Sequence, residues 1–241
     1  MTEFPKLRHH PRRRAVPPQR PARWPMVALA LTLVALVVGA IVVSNLAAPP
    51  TPVITSTARP LTAPTGMTPD GFAYKGRPDA PVTVIEYGDY QCPACAAYAT
   101  QLEAQIDHEY VERGKIRFIY HDFPLAQHPH ARITATAARA AGAQGKYWAM
   151  HDLLFAQQHA WATNANIKPL LGSYADALGL DRAAFEQVLN ADPYQDALTT
   201  AYRQGTERGV EGTPTFEVNG ELVGSAELVP AIERALQASG Q

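Results

Sequence analysis

Two cysteines, Cys92 and Cys95, are the residues of this chain best suited to chemistry. They are its only cysteines, and only Pro93 and Ala94 separate them. They follow an apolar run, 82–87, that is typical of a buried strand, and they precede an Ala-rich stretch with helical spacing. A Cys-x-x-Cys pair placed where a strand ends and a helix begins indicates a redox site that cycles between dithiol and disulfide.

The position of Cys92 predicts a reactive thiolate. The first N–H groups of a helix have no intrahelical partner, and the helix dipole is positive at that end. A thiolate there is stabilised over the thiol, so we expect the pKa of Cys92 to be lowered. Pro93 suits the first helical turn because it lacks an N–H group. Cys95, one turn further into the helix, would then be the resolving thiol.

Two other uses of a Cys-x-x-Cys pair fit this sequence less well. A structural zinc site needs four ligands, and the eight histidines show no spacing that would complete one. A purely structural disulfide across so short a loop would remove little chain entropy. We therefore expect no bound metal and no cofactor other than the redox disulfide of Cys92 and Cys95.

An uncharged apolar stretch near the N-terminus, Met26 to Val43, is long enough to span a bilayer as a helix. Residues 1–23 carry seven Lys or Arg and one acid, whereas the rest of the chain carries 14 basic and 21 acidic residues. Because basic flanks stay inside, this predicts a cytoplasmic N-terminus and an extracytoplasmic catalytic domain on a single-pass membrane anchor.

A cleaved signal peptide is the alternative interpretation of this stretch. Its apolar core would be shorter and would end in a small-x-small site, which Asn45-Leu46-Ala47 matches poorly. Both interpretations export the domain that follows. Export suits a dithiol that works as a disulfide, because the outside of the cell is oxidising.

Four segments follow from these patterns. Residues 1–23 are expected to be a basic, disordered cytoplasmic tail, residues 24–48 the transmembrane anchor, residues 49–71 a Pro-rich spacer and residues 72–241 one folded domain. A nucleic-acid-binding arm is a weaker interpretation of the tail, because the tail adjoins a membrane span. We expect no nucleic-acid partner.

The first half of the folded domain alternates strand and helix signals. Residues 82–87 and 115–120 predict two strands, and residues 93–113 between them show an apolar stripe of helical period. Gly114 is well placed to end that helix. A strand, helix and strand of these lengths predict a βαβ unit with parallel strands and a right-handed crossover.

The second half begins with helices and ends with a hairpin. Residues from about 125 to 207 are rich in helix formers and predict an all-helical insertion. Strands 215–218 and 221–223 flank Asn219-Gly220, a strong hairpin signal, and residues 227–237 predict a closing helix. The predicted fold class is therefore α/β, with βαβ, a helical insertion and then ββα. The insertion helices are expected at 129–142, 146–158, 167–178, 182–190 and 194–208.

From about Phe72 to the C-terminus, the chain resembles the DsbA family of exported thiol-disulfide oxidoreductases, which have the thioredoxin fold. Four local sequences carry the resemblance through their order and spacing. They are Asp79 to Val84 leading through Glu86-Tyr87 into Cys92-Pro93-Ala94-Cys95, then His121-Asp122-Phe123-Pro124-Leu125, then Gly145 to Asp152, and finally Gly212-Thr213-Pro214-Thr215-Phe216.

The resemblance implies further site residues. In such proteins a cis-proline loop faces the redox disulfide, which makes Thr213 and Pro214 the expected substrate-binding residues. A cis X-Pro bond leaves the preceding backbone free to pair with an extended peptide. The family often has an acid beneath the cysteines, which makes Glu86 the candidate proton shuttle for Cys95. A purely structural carboxylate is the alternative for Glu86.

The resemblance also implies the partners of the protein and the direction in which electrons flow. Substrates would be unfolded or reduced exported proteins, and a membrane quinone-linked or other thiol redox partner would reoxidise the site. Strong oxidases of the family carry His where this chain has Ala94. We therefore expect a higher Cys92 pKa and a less oxidising couple than in those enzymes.

Three functions remain open at this point. The leading one is a dithiol oxidase, and the second is a reductase or isomerase that uses the same cysteines. The third is a tethered peptide-binding or chaperone module in which redox activity is incidental. Related isomerases are usually dimers with an added dimerisation region; no such region is evident here, so we expect a monomer.

Overall fold

The computed structural model describes residues 61–240, and a six-stranded mixed sheet forms its centre. The strands are β1 (Thr65–Met67), β2 (Ala73–Lys75), β3 (Val82–Gly88), β4 (Ile116–Asp122), β5 (Thr215–Val218) and β6 (Glu221–Val223). Their order across the sheet is β1-β2-β4-β3-β5-β6. Strands β3 and β4 are parallel, and the other neighbours are antiparallel.

The helices lie between and after these strands as the sequence predicts. They are α1 (Pro93–Gln101), α2 (Glu103–Ile106), a π-helical turn (Asp107–Val111), α3 (Ala131–Gly142), α4 (Tyr147–Ala156), α5 (Gln158–Trp161), α6 (Lys168–Ala177), α7 (Arg182–Ala191), α8 (Gln195–Glu207), a 3₁₀ turn (Ser225–Glu227) and α9 (Leu228–Ala238). The predicted succession of βαβ, helical insertion and ββα is confirmed, and the fold is a mixed α/β, thioredoxin-like one.

Local sequence signals explain several element boundaries. The Asp181 side chain accepts a hydrogen bond from the N–H of Ala184 and so caps the N-terminus of α7. Asn219 and Gly220 both adopt positive φ, 49° and 95°, as a tight type I′ hairpin turn between β5 and β6 requires. Gly114, with a φ of 68°, ends the helical segment before β4.

The single helix predicted over 93–113 is interrupted in the structure. Leu102 has a φ of −120°, which is outside the helical range, and α2 restarts at Glu103 before the wider π-helical turn. The spacing of apolar residues did not predict this break, because the stripe continues through it. Glu103 and Asp107, which follow the break, belong to a buried ion cluster described below.

The folded part also begins earlier than Phe72. Strand β1 lies within the segment assigned to the spacer, and it pairs with β2, which in turn pairs with β4. Both strands are three residues long, too short for an alternating pattern to be recognised in the sequence. The pairing therefore depends on long-range contacts with β4.

Two apolar clusters pack against one face of the sheet, and the cysteines lie on that side of the domain. Val84, Phe118 and Phe216 pack against residues of α2 and α9, including Ile106 and Ile232. The helical insertion has its own core, which reaches Cys92 and Cys95. That core includes Tyr90, Tyr120, Met150, Leu154, Trp161, Phe185 and Leu198. The two cysteines therefore lie where the sheet meets the helical insertion.

The predicted tail and anchor, and most of the predicted spacer, lie outside the described residues. Within residues 61–240, we find no helix with the length and apolarity that crossing a membrane requires.

Candidate active site

Cys92 occupies the N-cap position of α1, immediately after the loop that follows β3. Its backbone is extended, with φ −72° and ψ 122°, and Pro93 starts the helix. Both cysteines are free thiols. Cys95 is fully buried and Cys92 nearly so, whereas Pro93 and Ala94 between them are exposed. The predicted junction of strand and helix is thus the place where the two sulfurs lie.

The surroundings of Cys92 favour its thiolate. Several interactions together lower the pKa of Cys92 to about 5 despite its burial, and the hydrogen bond from the Cys95 thiol is the largest of them. The backbone N–H groups of Cys95 and Ala94 also contribute to this lowering. These N–H groups are the unpaired donors at the start of α1. Cys92 is therefore ionised at neutral pH.

Cys95 has the opposite character. Burial raises the pKa of its thiol well above the usual value, and the hydrogen bond to Cys92 and the nearby charge of Glu86 raise it further. At neutral pH the pair thus consists of one thiolate and one thiol. Such a pair separates the attacking sulfur from the resolving sulfur.

The loop before β5 faces Cys92. The Thr213–Pro214 bond is cis, as predicted. The sulfur of Cys92 lies 3.3 Å from the Thr213 carbonyl oxygen, to which it can donate a hydrogen bond only in its thiol form. Beside this loop lies an open groove of about 250 Å³. Its lining residues are Gly209, Glu211, Gly212, Thr215, Leu222, Val223 and Gly224.

Glu86 lies on β3, between Tyr120 of β4 and Phe216 of β5. Its side chain is completely buried, and neither carboxylate oxygen has a hydrogen-bond partner among the described residues. Burial raises the pKa of Glu86 well above its usual value. The negative charges of Glu103 and of Cys92 raise it further, while Lys75 opposes them. These influences favour the protonated form of Glu86.

Several residues that hold the active-site loop were not predicted from the sequence. The side-chain amide of Gln158 donates to the carbonyl oxygens of Tyr90 and Cys92, at 2.7 and 3.0 Å. Gln91 donates to the carbonyl oxygen of Ala162 and accepts from the N–H of His130. These contacts fasten the loop to the helical insertion.

Asp89, at the start of this loop, has a fully buried side chain. It accepts hydrogen bonds from the N–H groups of Gln91 and Leu125 and from Nδ1 of His128 at 2.8 Å. Burial raises the pKa of Asp89, although these hydrogen bonds oppose the shift. No sequence signal separates Asp89 or Gln158 from ordinary surface polar residues, because their partners are distant in the chain.

A buried ion cluster lies on the same face of the sheet as Glu86. The Lys75 side chain is only 2% exposed, and its Nζ lies 2.6 Å from Oε1 of Glu103 and 2.8 Å from Oδ2 of Asp107. Burial alone would lower the pKa of Lys75, but these two carboxylates more than offset it and hold the lysine charged. This cluster was not predicted from the sequence, because Lys75 lies on a strand that was not predicted.

No metal-binding group accompanies the cysteines in the part of the chain that the structure describes. Within residues 61–240, no three His, Cys, Asp or Glu side chains lie close enough together to hold a metal ion.

Comparison with known proteins agrees with this geometry. Residues 69–238 match a family model described as thioredoxin. Among curated proteins, the chain is 38% identical over 172 residues to the Na(+)/H(+) antiporter NhaA 1 of Salinispora arenicola. That match covers 70% of this chain but only 24% of the antiporter. The similarity therefore concerns one part of a much longer protein.

Solved structures with this fold include two bacterial proteins. BdbD from Bacillus subtilis, in its oxidised form, matches with a TM-score of 0.64 and 23% identity over 73% of this chain and 98% of its own. The α-DsbA1 of Wolbachia pipientis matches with a TM-score of 0.64 and 20% identity over 72% of this chain and 94% of its own. At these identities the likeness establishes the fold. The chain belongs to the thioredoxin family, and it has the fold of the DsbA-type members.

Proposed function

We propose that this chain is a thiol-disulfide oxidoreductase that oxidises dithiols of exported proteins through a Cys92–Cys95 disulfide. The observation that carries the proposal is that the site shifts the pKa values of its two thiols in opposite directions. The pKa of Cys92 is lowered to about 5, while burial raises that of Cys95. Stabilising the Cys92 thiolate stabilises the reduced form, which makes the disulfide a better oxidant.

The proposed direction follows from the size of this effect. A pKa of about 5 for Cys92 lies between the values of about 3.5 for DsbA and about 7 for thioredoxin. It is consistent with an oxidase that is weaker than the enzymes with His before the second cysteine. Ala94 stands at that position here, and its side chain carries no charge.

The reaction would proceed in two half-reactions. In the first, a substrate thiolate attacks Sγ of Cys92, a mixed disulfide forms, and the Cys92–Cys95 bond breaks. Its electron pair goes to Cys95, which takes up a proton. In the second, the other substrate thiolate attacks the substrate sulfur of the mixed disulfide, and Cys92 leaves as a thiolate. Two electrons have then passed from the substrate sulfurs to the enzyme.

Glu86 would supply the proton that Cys95 takes up. Its raised pKa favours its protonated form, and its charge influences the pKa of Cys95. A neutral carboxylic acid beside a departing buried thiolate is suited to general acid catalysis. When the enzyme is reoxidised, the same carboxylate would receive the proton back.

Thr213 and Pro214 would bind the substrate. The groove lined by the flanking residues Gly212 and Thr215 is open to solvent, and the Thr213 carbonyl oxygen lies 3.3 Å from the sulfur of Cys92. An extended peptide that pairs with this backbone would bring its own cysteine to Cys92. We also propose that residues 24–48 tether the domain on the extracytoplasmic side, where a quinone-linked or other thiol partner reoxidises it.

Two variants and one measurement test this function. Cys92→Ser should abolish oxidation of a reduced protein substrate, and Cys95→Ser should accumulate mixed disulfides that resist resolution. The reduction potential, titrated in glutathione buffers, should lie near or above roughly −180 mV for an oxidase. A value near about −270 mV would instead indicate a reductase. Oxidation that persists in Cys92→Ser would exclude the proposed mechanism.

A further inference from the structure

The loop that faces Cys92, residues 211–214, has few hydrogen bonds of its own. Among the described residues, the N–H groups of residues 211–213 donate to no backbone carbonyl oxygen. Within the loop, the carbonyl oxygen of Gly212 accepts a hydrogen bond from the hydroxyl of Thr215 at 2.8 Å. Unpaired backbone groups suit a segment with which an extended peptide pairs. They also mean that the position of the loop depends on the residues at its two ends.

The end of α8 fixes the chain just before the loop. Arg208 is the C-cap of this helix, and Gly209 after it adopts a φ of 91°. The N–H groups of Gly209 and Val210 donate to carbonyl oxygens of the last turn of α8, each at 3.0 Å. These are the hydrogen bonds of a helix that ends in a left-handed residue. Val210 is buried in a cluster with Tyr87 and Phe123, so the chain is held in place as far as Val210.

Glu217 of β5 joins the far end of the loop to the near end. Its side chain is only 8% exposed. Oε2 accepts a hydrogen bond from the Tyr87 hydroxyl at 2.8 Å, and Oε1 accepts one from the Arg208 guanidinium at 2.9 Å. One carboxylate thus connects β5 to the end of β3 and to the end of α8. We call Tyr87, Arg208 and Glu217 the Glu217 clamp.

The register of the sheet explains why Tyr87 and Glu217 meet. In the antiparallel pairing of β3 with β5, Tyr87 is opposite Thr215 and Ile85 is opposite Glu217. Tyr87 and Glu217 are therefore diagonal neighbours on the same face of the sheet, within reach of long side chains. Glu86 lies between Ile85 and Tyr87 in the strand, so its side chain points to the other face. The Glu217 clamp is thus separate from the buried acid near the cysteines.

Stability alone does not account for a carboxylate at this position. A buried charge is unfavourable unless it is paired, and Tyr87 and Arg208 together satisfy both oxygens of Glu217. Burial raises the pKa of Tyr87, and its hydrogen bond to Glu217 raises it further, so the hydroxyl remains a donor. Apolar residues of similar size often stabilise a protein as well as a buried ionic group does. The directed contacts of Glu217, in contrast, fix the separation between Arg208 and β5.

We propose that the Glu217 clamp holds residues 211–214 at the distance from Cys92 at which an extended peptide can pair with them, and that it thereby sets the affinity for peptide substrates. The inference rests on the proposed function, in which a peptide binds beside Cys92. The clamp residues take no part in the exchange of bonds. They are positioning residues for Thr213, whose carbonyl oxygen lies 3.3 Å from the sulfur of Cys92. Loss of a clamp contact leaves the disulfide reactive but the loop less well placed.

The test compares two thiols that react with the oxidised, full-length chain. One is a short peptide with a single central cysteine, which can pair with the loop. The other is β-mercaptoethanol, which has no peptide backbone. In both reactions the thiolate attacks Sγ of Cys92, a mixed disulfide forms, and the electron pair of the Cys92–Cys95 bond goes to Cys95. Initial rates against concentration give the half-saturating concentration and limiting rate for the peptide, and the rate constant for β-mercaptoethanol.

Two variants of the clamp should weaken peptide binding selectively. Tyr87→Phe removes only the hydroxyl group, and Glu217→Gln removes only the charge. Each should raise the half-saturating peptide concentration about fivefold, the factor that one ordinary hydrogen bond contributes, and should leave the limiting rate nearly unchanged. The rate constant for β-mercaptoethanol should not change. Arg208→Gln should have a smaller effect, because the Arg208 side chain is 58% exposed.

Two matched variants control for a general loss of stability. Tyr110→Phe removes a hydroxyl that donates to the Glu233 carboxylate at 2.6 Å in another part of the domain. Arg203→Gln breaks an exposed ion pair with Glu207 on α8 itself. Neither variant should change the half-saturating peptide concentration. If Tyr110→Phe weakened peptide binding as much as Tyr87→Phe, the effect would not belong to the clamp and the inference would be wrong.

Other outcomes separate this inference from the proposed function. If Tyr87→Phe and Glu217→Gln bind the peptide normally, the inference fails, but the proposed function stands as long as the peptide reacts with Cys92 of the unmodified chain. If both variants slow the peptide and β-mercaptoethanol equally, the clamp supports the disulfide rather than the loop, and the inference again fails alone. If neither thiol forms a mixed disulfide with Cys92 of the unmodified chain, the proposed function itself is wrong.

Discussion

The sulfur of Cys92 lies 3.3 Å from the carbonyl oxygen of Thr213, a residue 121 positions further along the chain. The contact joins the start of α1 to the loop that leads into β5. Strand β3 ends beside this contact and strand β5 begins beside it. The two strands are direct neighbours in the sheet. The reacting sulfur is therefore held against the backbone to which we expect an extended substrate to pair.

The first prediction concerns the origin of the low Cys92 pKa. The hydrogen bond from Cys95 is the largest contribution to it. Cys95→Ala should therefore raise the pKa of Cys92 toward its usual value, whereas Cys95→Ser keeps a hydroxyl donor and should raise it less. The rate of iodoacetamide alkylation, followed against pH, measures this pKa. Equal values in the two variants would show that the helix N-terminus, rather than Cys95, controls the thiolate.

The second prediction concerns the stability of the reduced chain against pH. The pKa of Cys92 in the folded state, about 5, is below its usual value. A lowered pKa contributes stability above the pKa of the unfolded state, about 8.5, and this contribution is lost as the pH falls toward 5. The stability difference between the reduced chain and its Cys92→Ala variant should therefore shrink from pH 8.5 to pH 5. Urea unfolding at several pH values measures it, and a constant difference would contradict the lowered pKa.

The third prediction concerns the buried ion cluster. Lys75→Met removes the ammonium group and leaves Glu103 and Asp107 without their cation. Because breaking a buried ion pair leaves an uncompensated charge, the free energy of unfolding should fall by about 3–5 kcal/mol. Urea denaturation measures this change.

Arg77→Met is the matched control for Lys75→Met. Arg77 also pairs with a carboxylate, that of Asp79 at 2.7 Å, but both side chains are well exposed. Exposed ion pairs contribute little, so the control should be nearly as stable as the unmodified chain. If the free energy of unfolding fell by similar amounts in Lys75→Met and Arg77→Met, burial would not make the Lys75 ion pair more stabilising than the exposed Arg77 pair.

The fourth prediction concerns the loop that carries Cys92. Gln158→Ala removes the two hydrogen bonds to the carbonyl oxygens of Tyr90 and Cys92. It should destabilise the domain by about 1–3 kcal/mol, because partly buried acceptors lose their donor. It should also slow oxidation of a substrate dithiol several-fold, since the loop is held less firmly. Gln157→Ala is the control, as its side chain makes none of these contacts, and it should change neither property.

Local patterns in the sequence were sufficient to predict much of the fold. The apolar run before Cys92 forms β3, and the cysteines lie at the predicted junction of strand and helix. The predicted hairpin at Asn219-Gly220 is confirmed. These features depend on a few adjacent residues, whose backbone preferences and burial are visible in the sequence.

Other features of the fold depend on distant residues. Strands β1 and β2 are too short to be recognised without β4, to which they are joined in the sheet. The break at Leu102 lies inside a continuous apolar stripe, so no pattern marked it. Spacing along the chain cannot reveal a pairing partner that is tens of residues away.

The sequence by itself therefore determined which residues can do chemistry here, because two cysteines at a helix N-terminus are a local arrangement. The tertiary structure decided how that chemistry is controlled. It placed Thr213 against Cys92, and it buried Glu86 without a partner. It also gathered Lys75, Glu103 and Asp107 into one ion cluster. Burial and electrostatic interaction depend on three-dimensional proximity, which only the folded chain supplies.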